Sequence, residues 1–411
     1  MTPDRGGAAM TRAALLTALL LLAGAHAAAG QSLLSTRGLG VPIAPVEARA
    51  RALGGASIGL LGVSPSLGNP AGVAGTGFRG VAVAMQPTMR DVEFAGRAGS
   101  IDATRFPLVR ILYPASGRMT ATLAYGSFLD QTWAVETEGT AVIGSDTVPT
   151  TDLVESTGGI AQLHLGAAYT VSSALALGAS IGIYTGDLQR EITRTFPDTL
   201  TSPLRSFQTR VSWNYRAPLA SLGIRWDPLP LLRIGASFTW VGRLEAEGDD
   251  GDPPDRAYDL PLQFGAGASA WLAPRVLAAV SAQWAGWSRA ADDFQPPAQA
   301  GEAGTVARDV WNLGGGLEWS GPRAGERSFP IRLGFHYAQL PFRLDSEADA
   351  SEWAAALGLG LRLAGTEETP LAVVDLALER GRRHGASSDA TPDGLTEDFW
   401  RLTLSLNLFG R

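Results

Sequence analysis

The chain contains no cysteine and no lysine. Without thiols, disulfides, thiolate metal sites and cysteine catalysis are excluded. Without lysine, the Gly-rich phosphate loop that ends in Lys is excluded as well. All 33 basic residues are therefore arginine, a bias that codon usage accounts for. Charge is sparse: 18% of the 411 residues are charged, and the net charge is −7. A nucleic-acid partner calls for a basic surplus, which is missing. Long apolar runs are missing too, although 45% of the residues are hydrophobic. Beyond the N-terminus, Pro, Gly or a charge interrupts every apolar stretch. A spanning helix needs about 20 apolar residues, so a helical membrane protein is excluded.

What is present begins with an address. Arg5 and Arg12 precede an apolar run from Ala13 to Ala25, and Ala25-His26-Ala27-Ala28-Ala29-Gly30-Gln31 follows. A basic start, a short apolar core and an Ala-x-Ala exit make a secretory signal peptide. A tighter signal begins at Met10, and cleavage after Ala27, Ala29 or Gly30 fits. No Cys follows the core, so lipoprotein processing is excluded. This reading gives a signal at 1–30 and a mature chain that leaves the cytoplasm.

Period two runs along most of the mature chain. Ala161, Leu163, Leu165, Ala167, Tyr169 and Val171 share one parity; Gln162, His164, Gly166, Ala168 and Thr170 share the other. Leu232, Ile234, Ala236, Phe238 and Trp240 oppose Arg233, Gly235, Ser237 and Thr239. Near the C-terminus Trp400, Leu402, Leu404, Leu406 and Leu408 oppose Arg401, Thr403, Ser405 and Asn407. Such alternation marks strands. A soluble sandwich would bury the large face against a second sheet, whereas a membrane barrel turns it to lipid. Two features favour the barrel. The segments outrun the usual strand of roughly 5–6 residues. Trp and Tyr also gather at segment ends, as in interfacial girdles.

Connections alternate between short ones, such as 172–173 and 273–275, and long polar ones, such as 140–151 and 385–397. Placing strands between them gives 78–94, 104–114, 118–140, 154–171, 174–195, 205–227, 231–246, 257–273, 275–290, 307–321, 328–342, 351–364, 370–383 and 397–410. That is an antiparallel transmembrane β-barrel of about 14 strands over 78–411. Pro218 inside the sixth strand calls for a bulge or a break. Residues 31–77 do not alternate. They are small and Gly-rich, and fit either a plug inside the barrel or a flexible leader.

Several landmarks resemble one family. Gly54-Gly55-Ala56 followed by Asn69-Pro70-Ala71-Gly72 is similar to the N-terminal signature of the FadL/TodX family of outer-membrane hydrophobic-compound transporters. Gln283-Trp284-Ala285-Gly286-Trp287-Ser288-Arg289 resembles the family's Trp-x-x-Trp-Ser-basic strand end. Ile331-Arg332-Leu333-Gly334-Phe335-His336-Tyr337 with Pro341-Phe342 is similar to the strand that follows. The order of these motifs covers nearly all of the mature chain. Two departures stand out. Ser64-Pro65-Ser66-Leu67-Gly68 replaces an Asp-Ala pair and an aromatic, and the chain ends in Arg411 with Phe409 two positions earlier. The resemblance implies a 14-stranded barrel closed by an N-terminal hatch at 31–77. It also implies passive uptake of long-chain fatty acids or other hydrophobic molecules, and a strand kink that opens a lateral hole to the bilayer.

Other chemistry is weaker. After the signal, His occurs at 164, 336 and 384, and no Ser/His/acid cluster stands out, so no enzyme is expected. No cofactor or metal is expected. Asp249-Asp250-Gly251-Asp252 lacks the Glu of a calcium loop and reads as a solvated loop. His164, His336, Arg233, Arg332, Arg362 and Arg401 share the small, polar parity, which makes them candidate lumenal residues. The arginines would pair with acids such as Glu318 or hold a fatty carboxylate, with pairing preferred. Expected partners are outer-membrane lipid, a hydrophobic small molecule and the barrel assembly machinery. Two other functions fit a barrel: a secretion-system or surface-protein scaffold, and a general diffusion porin.

Overall fold

The computed structural model describes residues 32–410 apart from 37, 63, 95–96, 144–145, 197–204, 250–252, 295–306, 322, 325–326, 343–348, 366–369 and 386–394. The signal segment at 1–30 lies outside the described residues. Fourteen antiparallel strands close into a barrel. They are β1 (Arg79–Phe94), β2 (Arg97–Ser116), β3 (Met119–Asp130, continuing as Trp133–Ile143), β4 (Asp146–Thr170) and β5 (Leu175–Thr195). Next come β6 (Phe207–Leu229), β7 (Leu232–Val241, continuing as Arg243–Gly248), β8 (Arg256–Asp259, continuing as Gln263–Ala273) and β9 (Val276–Ala285). The wall ends with β10 (Val310–Trp319), β11 (Ile331–Gln339), β12 (Ala350–Gly365), β13 (Pro370–Gly385) and β14 (Leu395–Gly410). Each strand pairs with the next, and β1 pairs with β14 from Arg79↔Gly410 to Phe94↔Leu395, which closes the wall. Closure joins the first and last strands, which satisfies most backbone polar groups within the wall.

The two faces separate as period two requires. Leu165, Ile181, Leu222, Val280, Leu333 and Leu357 point outward and are exposed. Ala84, Thr122, Ser221, Glu318 and Thr403 point inward and are buried. Outward aromatics form two rows. Trp284 pairs with Trp311 across β9 and β10 at one level, while Tyr113, Tyr169, Trp226 and Trp319 lie near the short-turn end. Trp311 to Trp319 covers roughly 27 Å of strand at 3.4 Å per residue, or about 21 Å after a ~40° tilt, close to the apolar band of ~25 Å.

Strand bounds depart from the sequence reading in several places, among them the second strand, which begins at Arg97 rather than 104. The expected loop at 140–151 is mostly ladder, with Ile143↔Asp146 closing a β3–β4 hairpin that stands well beyond the aromatic row. The segment 275–290 ends as a strand at Ala285, and Trp287–Ala290 forms a 3-10 turn. Pro218 stays in β6 opposite Ile183. The break falls instead on β7, where Gly242 donates its N–H to the Pro218 carbonyl at 2.8 Å and leaves the strand.

Residues 32–78 fill the lumen. They contain a 3-10 turn (Leu33–Thr36), a two-residue strand (Val41–Pro42), a short helix α1 (Ala48–Ala52) and a second 3-10 turn (Pro70–Val73). All five residues of α1 are buried against β11–β14.

Candidate functional site

The hatch is held by close backbone approach and by guanidinium groups. Gly54 has φ +69° and lies against the wall so tightly that a Cβ would sit 2.1 Å from the Phe335 carbonyl oxygen. Only glycine supplies both that conformation and that approach. Gly55 also has positive φ, but open space surrounds it. Ala56 packs with Val46, Leu53, Leu60 and Leu277. Asn69 caps the second 3-10 turn: its Oδ1 accepts from Ala71 N–H at 2.9 Å, and its Nδ2 donates to the Ile224 carbonyl at 2.9 Å. Pro70 starts that turn, where its missing N–H costs nothing. Wall residue Gly223 faces it, and a Cβ there would sit 2.0 Å from Asn69 Oδ1. Ala71 is buried against Gly178, whereas Gly72 has open space and ordinary φ.

Charges lock the hatch from both sides. Arg49 of α1 donates to Glu318 through Nε (2.8 Å) and Nη2 (3.1 Å). Arg332 reaches the same carboxylate at 2.7 Å and Asp375 at 2.7 Å. Arg362 lies 3.8 Å from Glu318. Arg51 of α1 is 3.7 Å from Glu379. Glu379 also faces Arg401 and His336, and Glu352 accepts from His336 (3.0 Å), Arg401 (2.9 Å) and Arg383. Ser32 donates to both oxygens of Glu397. From the opposite wall, Arg110, Arg225 and Arg233 donate to hatch carbonyls, and Asp227 holds Arg233 at 2.7 Å. Such buried pairs cost desolvation and fix geometry rather than add stability.

Above the hatch lies a cavity of about 180 Å³. One side is lined by neutral polar groups, including Gln162, His164, Ser221, Gln263, Gln283 and Asn312; the other carries Arg105, His336, Glu352, Arg383 and Arg401. His164 hydrogen-bonds Gln162 (2.8 Å) and Ser180 (3.2 Å). The cavity is smaller than the ~300 Å³ of ordinary ligand pockets. A bulky solute therefore requires side chains above it to move.

Those side chains form an apolar layer toward the long-loop end. Phe128, Tyr184, Leu188, Trp213, Tyr215, Leu244, Tyr258, Trp287 and Phe342 pack there. Phe128 and Tyr184 have ring centroids 4.3 Å apart, and Trp287 meets Phe128 at 6.1 Å and Phe342 at 5.2 Å. The Trp-x-x-Trp-Ser-Arg element thus splits. Trp284 stays outward beside Phe264 (5.7 Å), the chain bends at Gly286, and Trp287 turns into the lumen. Ser288 N–H donates to Asp309 at 2.9 Å, and Arg289 is exposed. At the outer rim, Arg190 stands over the rings of Trp133 (5.9 Å) and Trp213 (6.0 Å), and Arg256 over Trp213 (5.1 Å). Neither guanidinium has a carboxylate partner among the described residues.

The hydrogen-bond ladder of the wall is interrupted beside this layer, leaving a gap in strand pairing. The β2–β3 ladder stops at Leu108↔Gly126, and β3 beyond it pairs only with β4 among the strands of the wall. Sequence reasoning missed the hatch arginines, the carboxylates of β12–β14 and the aromatic layer. One signal was available: Glu352, Glu379 and Glu397 share the inward parity of His336 and Arg401.

Among solved structures, three resemble the chain over nearly their whole length. The Ralstonia pickettii toluene transporter TbuX has a TM-score of 0.57 at 18% identity, covering 90% of this chain and 99% of that one. A Pseudomonas aeruginosa FadL homologue has a TM-score of 0.58 at 14% identity, with 90% and 99% covered. The Pseudomonas putida toluene transporter TodX has a TM-score of 0.55 at 13% identity, with 90% and 98% covered. The fold is that of the FadL and TodX barrels. No family model matches the chain, and no curated protein matches it. Among the described residues no group of His, Cys, Asp or Glu is placed to hold a metal ion.

Proposed function

We propose that this chain is an outer-membrane member of the FadL/TodX family that takes up hydrophobic compounds passively, with long-chain fatty acids as the solute type. The observation that carries the proposal is the layering of the lumen. An aromatic layer stands at the long-loop mouth, a chamber of mixed apolar and polar lining lies beneath it, and a clamped hatch closes the barrel below. Capture is driven by apolar area leaving water, about 25 cal/mol per Å². Passage straight down would have to break the buried ion pairs between hatch and wall, such as that of Arg49 with Glu318. The gap between β2 and β3 offers a path sideways into the bilayer. Arg190 and Arg256, cationic and without carboxylate partners among the described residues, favour a solute with an anionic head on an apolar tail.

In this reading residues 1–30 are a cleaved signal, 31–77 the hatch and 78–411 the barrel. The long loops face the outside. Outer-membrane lipid surrounds the wall, and the barrel assembly machinery inserts it. Gly54, Gly55, Ala56, Asn69, Pro70, Ala71 and Gly72 seat the hatch. His164, His336, Arg233, Arg332, Arg362, Arg401 and Glu318 line the lumen and hold structure rather than react; no enzymatic role is proposed.

The test uses purified protein. It should bind a fluorescent long-chain fatty acid in detergent and carry it into liposomes without an energy source. Failure to bind any hydrophobic solute, together with salt conductance in planar bilayers, would favour a porin and sink the proposal. A non-conducting barrel that binds nothing would favour a scaffold.

A further inference from the structure

The lateral gap is bordered by a strand that does not belong to the wall. At Leu129 and Asp130, β3 pairs with β4 on one edge, opposite Ile160 and Gly159. Its other edge is the one that β2 uses up to Gly126. There the hatch takes over: Val41 pairs with Asp130 and Pro42 with Leu129, both antiparallel. Ile43 N–H donates to the Phe128 carbonyl at 2.8 Å, and Gln131 Nε2 donates to the Leu39 carbonyl at 2.9 Å. Continuing the β2–β3 register two residues past Leu108↔Gly126 would set Phe106 opposite Phe128. The hatch strand therefore occupies the hydrogen-bonding edge that β2 needs to zip further. Across the gap only side chains reach: Ser127 Oγ donates to the Phe106 carbonyl at 3.1 Å, and Arg105 lies 3.6 Å from Asp130.

Phe128 joins this edge to the lumen. The β3–β4 register shifts between Ser127 and Leu129, so Phe128 is a bulge residue. Bulges re-aim a side chain and bend the strand. Its carbonyl takes the hatch bond, while its ring packs on Tyr184 and Trp287 in the aromatic layer. We propose that the hatch strand Val41–Pro42, with Gly40 and Ile43 flanking it, is a positioning element that keeps β2 and β3 from pairing by β-addition to the edge at residues 128–130. This rests on the transport reading, in which the gap is the exit. An unpaired strand edge is a template for any neighbour, and the two candidate neighbours compete for it.

Two substitutions break the pairing by different means. Ile43→Pro deletes the N–H that bonds Phe128. Gly40→Ala puts a Cβ 2.1 Å from the Asp130 carbonyl oxygen at φ +93°. Ile43→Val keeps the donor and serves as the conservative control. Correct folding is read from the heat-modifiable gel shift. Hydrogen exchange at Ala103–Phe106 of β2 reports zipping directly, and proteoliposome uptake of a fluorescent fatty acid reports the exit. In both disrupting variants, exchange at 103–106 should slow at least tenfold and uptake should fall at least fivefold, while probe affinity in detergent stays within twofold. Ile43→Val should match the parent chain in all three. Unchanged exchange at 103–106 in whichever variant folds overturns the proposal, as does slowed exchange with uptake unchanged. If the parent chain binds no apolar probe, the transport reading fails, and the exchange measurement still decides whether the hatch strand holds the edge.

Discussion

The Arg49 guanidinium meets the Glu318 carboxylate through two hydrogen bonds, at 2.8 and 3.1 Å, and both side chains are buried. This pair ties α1 to β10 across 269 positions of sequence. Glu318→Gln leaves Arg49, Arg332 and Arg362 facing a neutral amide. Breaking a buried pair by removing one partner costs about 3–5 kcal/mol. The expected result is a lower unfolding temperature and faster protease cleavage within 32–78. Replacing Arg49 and Glu318 together by Met and Gln should cost less than the two single changes added, because they share one interaction.

The contact between Gly223 and Asn69 predicts a steric phenotype. Gly223→Ala places a methyl group 2.0 Å from Asn69 Oδ1. Overpacking of this kind costs about 1–3 kcal/mol. The 3-10 turn Pro70–Val73 should shift, and a spin label at Ala74 should report increased motion. Gly72→Ala, in open space, should leave the same label unchanged.

Arg190 and Arg256 predict selectivity. Arg190→Met keeps apolar bulk over Trp133 and Trp213 but removes the charge. Affinity for a fatty acid should fall roughly tenfold, about 1.4 kcal/mol. Affinity for the corresponding alcohol should change less than twofold. Equal losses for both would show that the stack acts through packing alone.

The outer hairpins predict an acid sensitivity. The hydrogen bond from Arg194 holds the Asp152 carboxyl below its usual value, and those from Arg210 and Gln208 do the same for Glu191. A depressed folded-state pKa contributes stability that is present above the unfolded value and lost as pH falls through the folded value. Amide exchange in 151–157 and 187–195 should therefore quicken below about pH 4. High salt at neutral pH should act in the same direction, because these pairs are exposed.

Deleting 31–72 predicts a conducting pore. The remaining wall is closed by β1–β14 pairing, and the lumen that the hatch fills is lined by inward polar groups such as Glu318, Thr403 and Ser405. Bilayers containing the deletion should show ion currents that the full chain lacks. Equal permeability of the two would count against the hatch as the seal.

Much of the wall was legible because lipid and lumen impose opposite demands on alternate residues. That contrast vanishes beyond the bilayer, where water bathes the hairpins. There Thr140–Thr151 read as loop although most of it is ladder. Pro218 was legible as a disturbance, but not the strand that would absorb it. A proline carbonyl still accepts, so the missing donor displaces the neighbour, Gly242. The site was less legible. Ser32 and Glu397 are 365 positions apart, and no local spacing links them. Phe128 looks like any inward strand residue until the register shift beside it is known.

The hatch also ties together strands far apart in the wall. It is synthesised first, yet Ser32 bonds β14, α1 packs on β11–β14, and Asn69 bonds β6. Wall arginines donate to its carbonyls, and wall glycines lie close against its backbone. The seam between β1 and β14 encloses these contacts in the finished barrel. Hatch and wall are interlocked, and neither could be withdrawn from the other without breaking contacts that span the length of the chain.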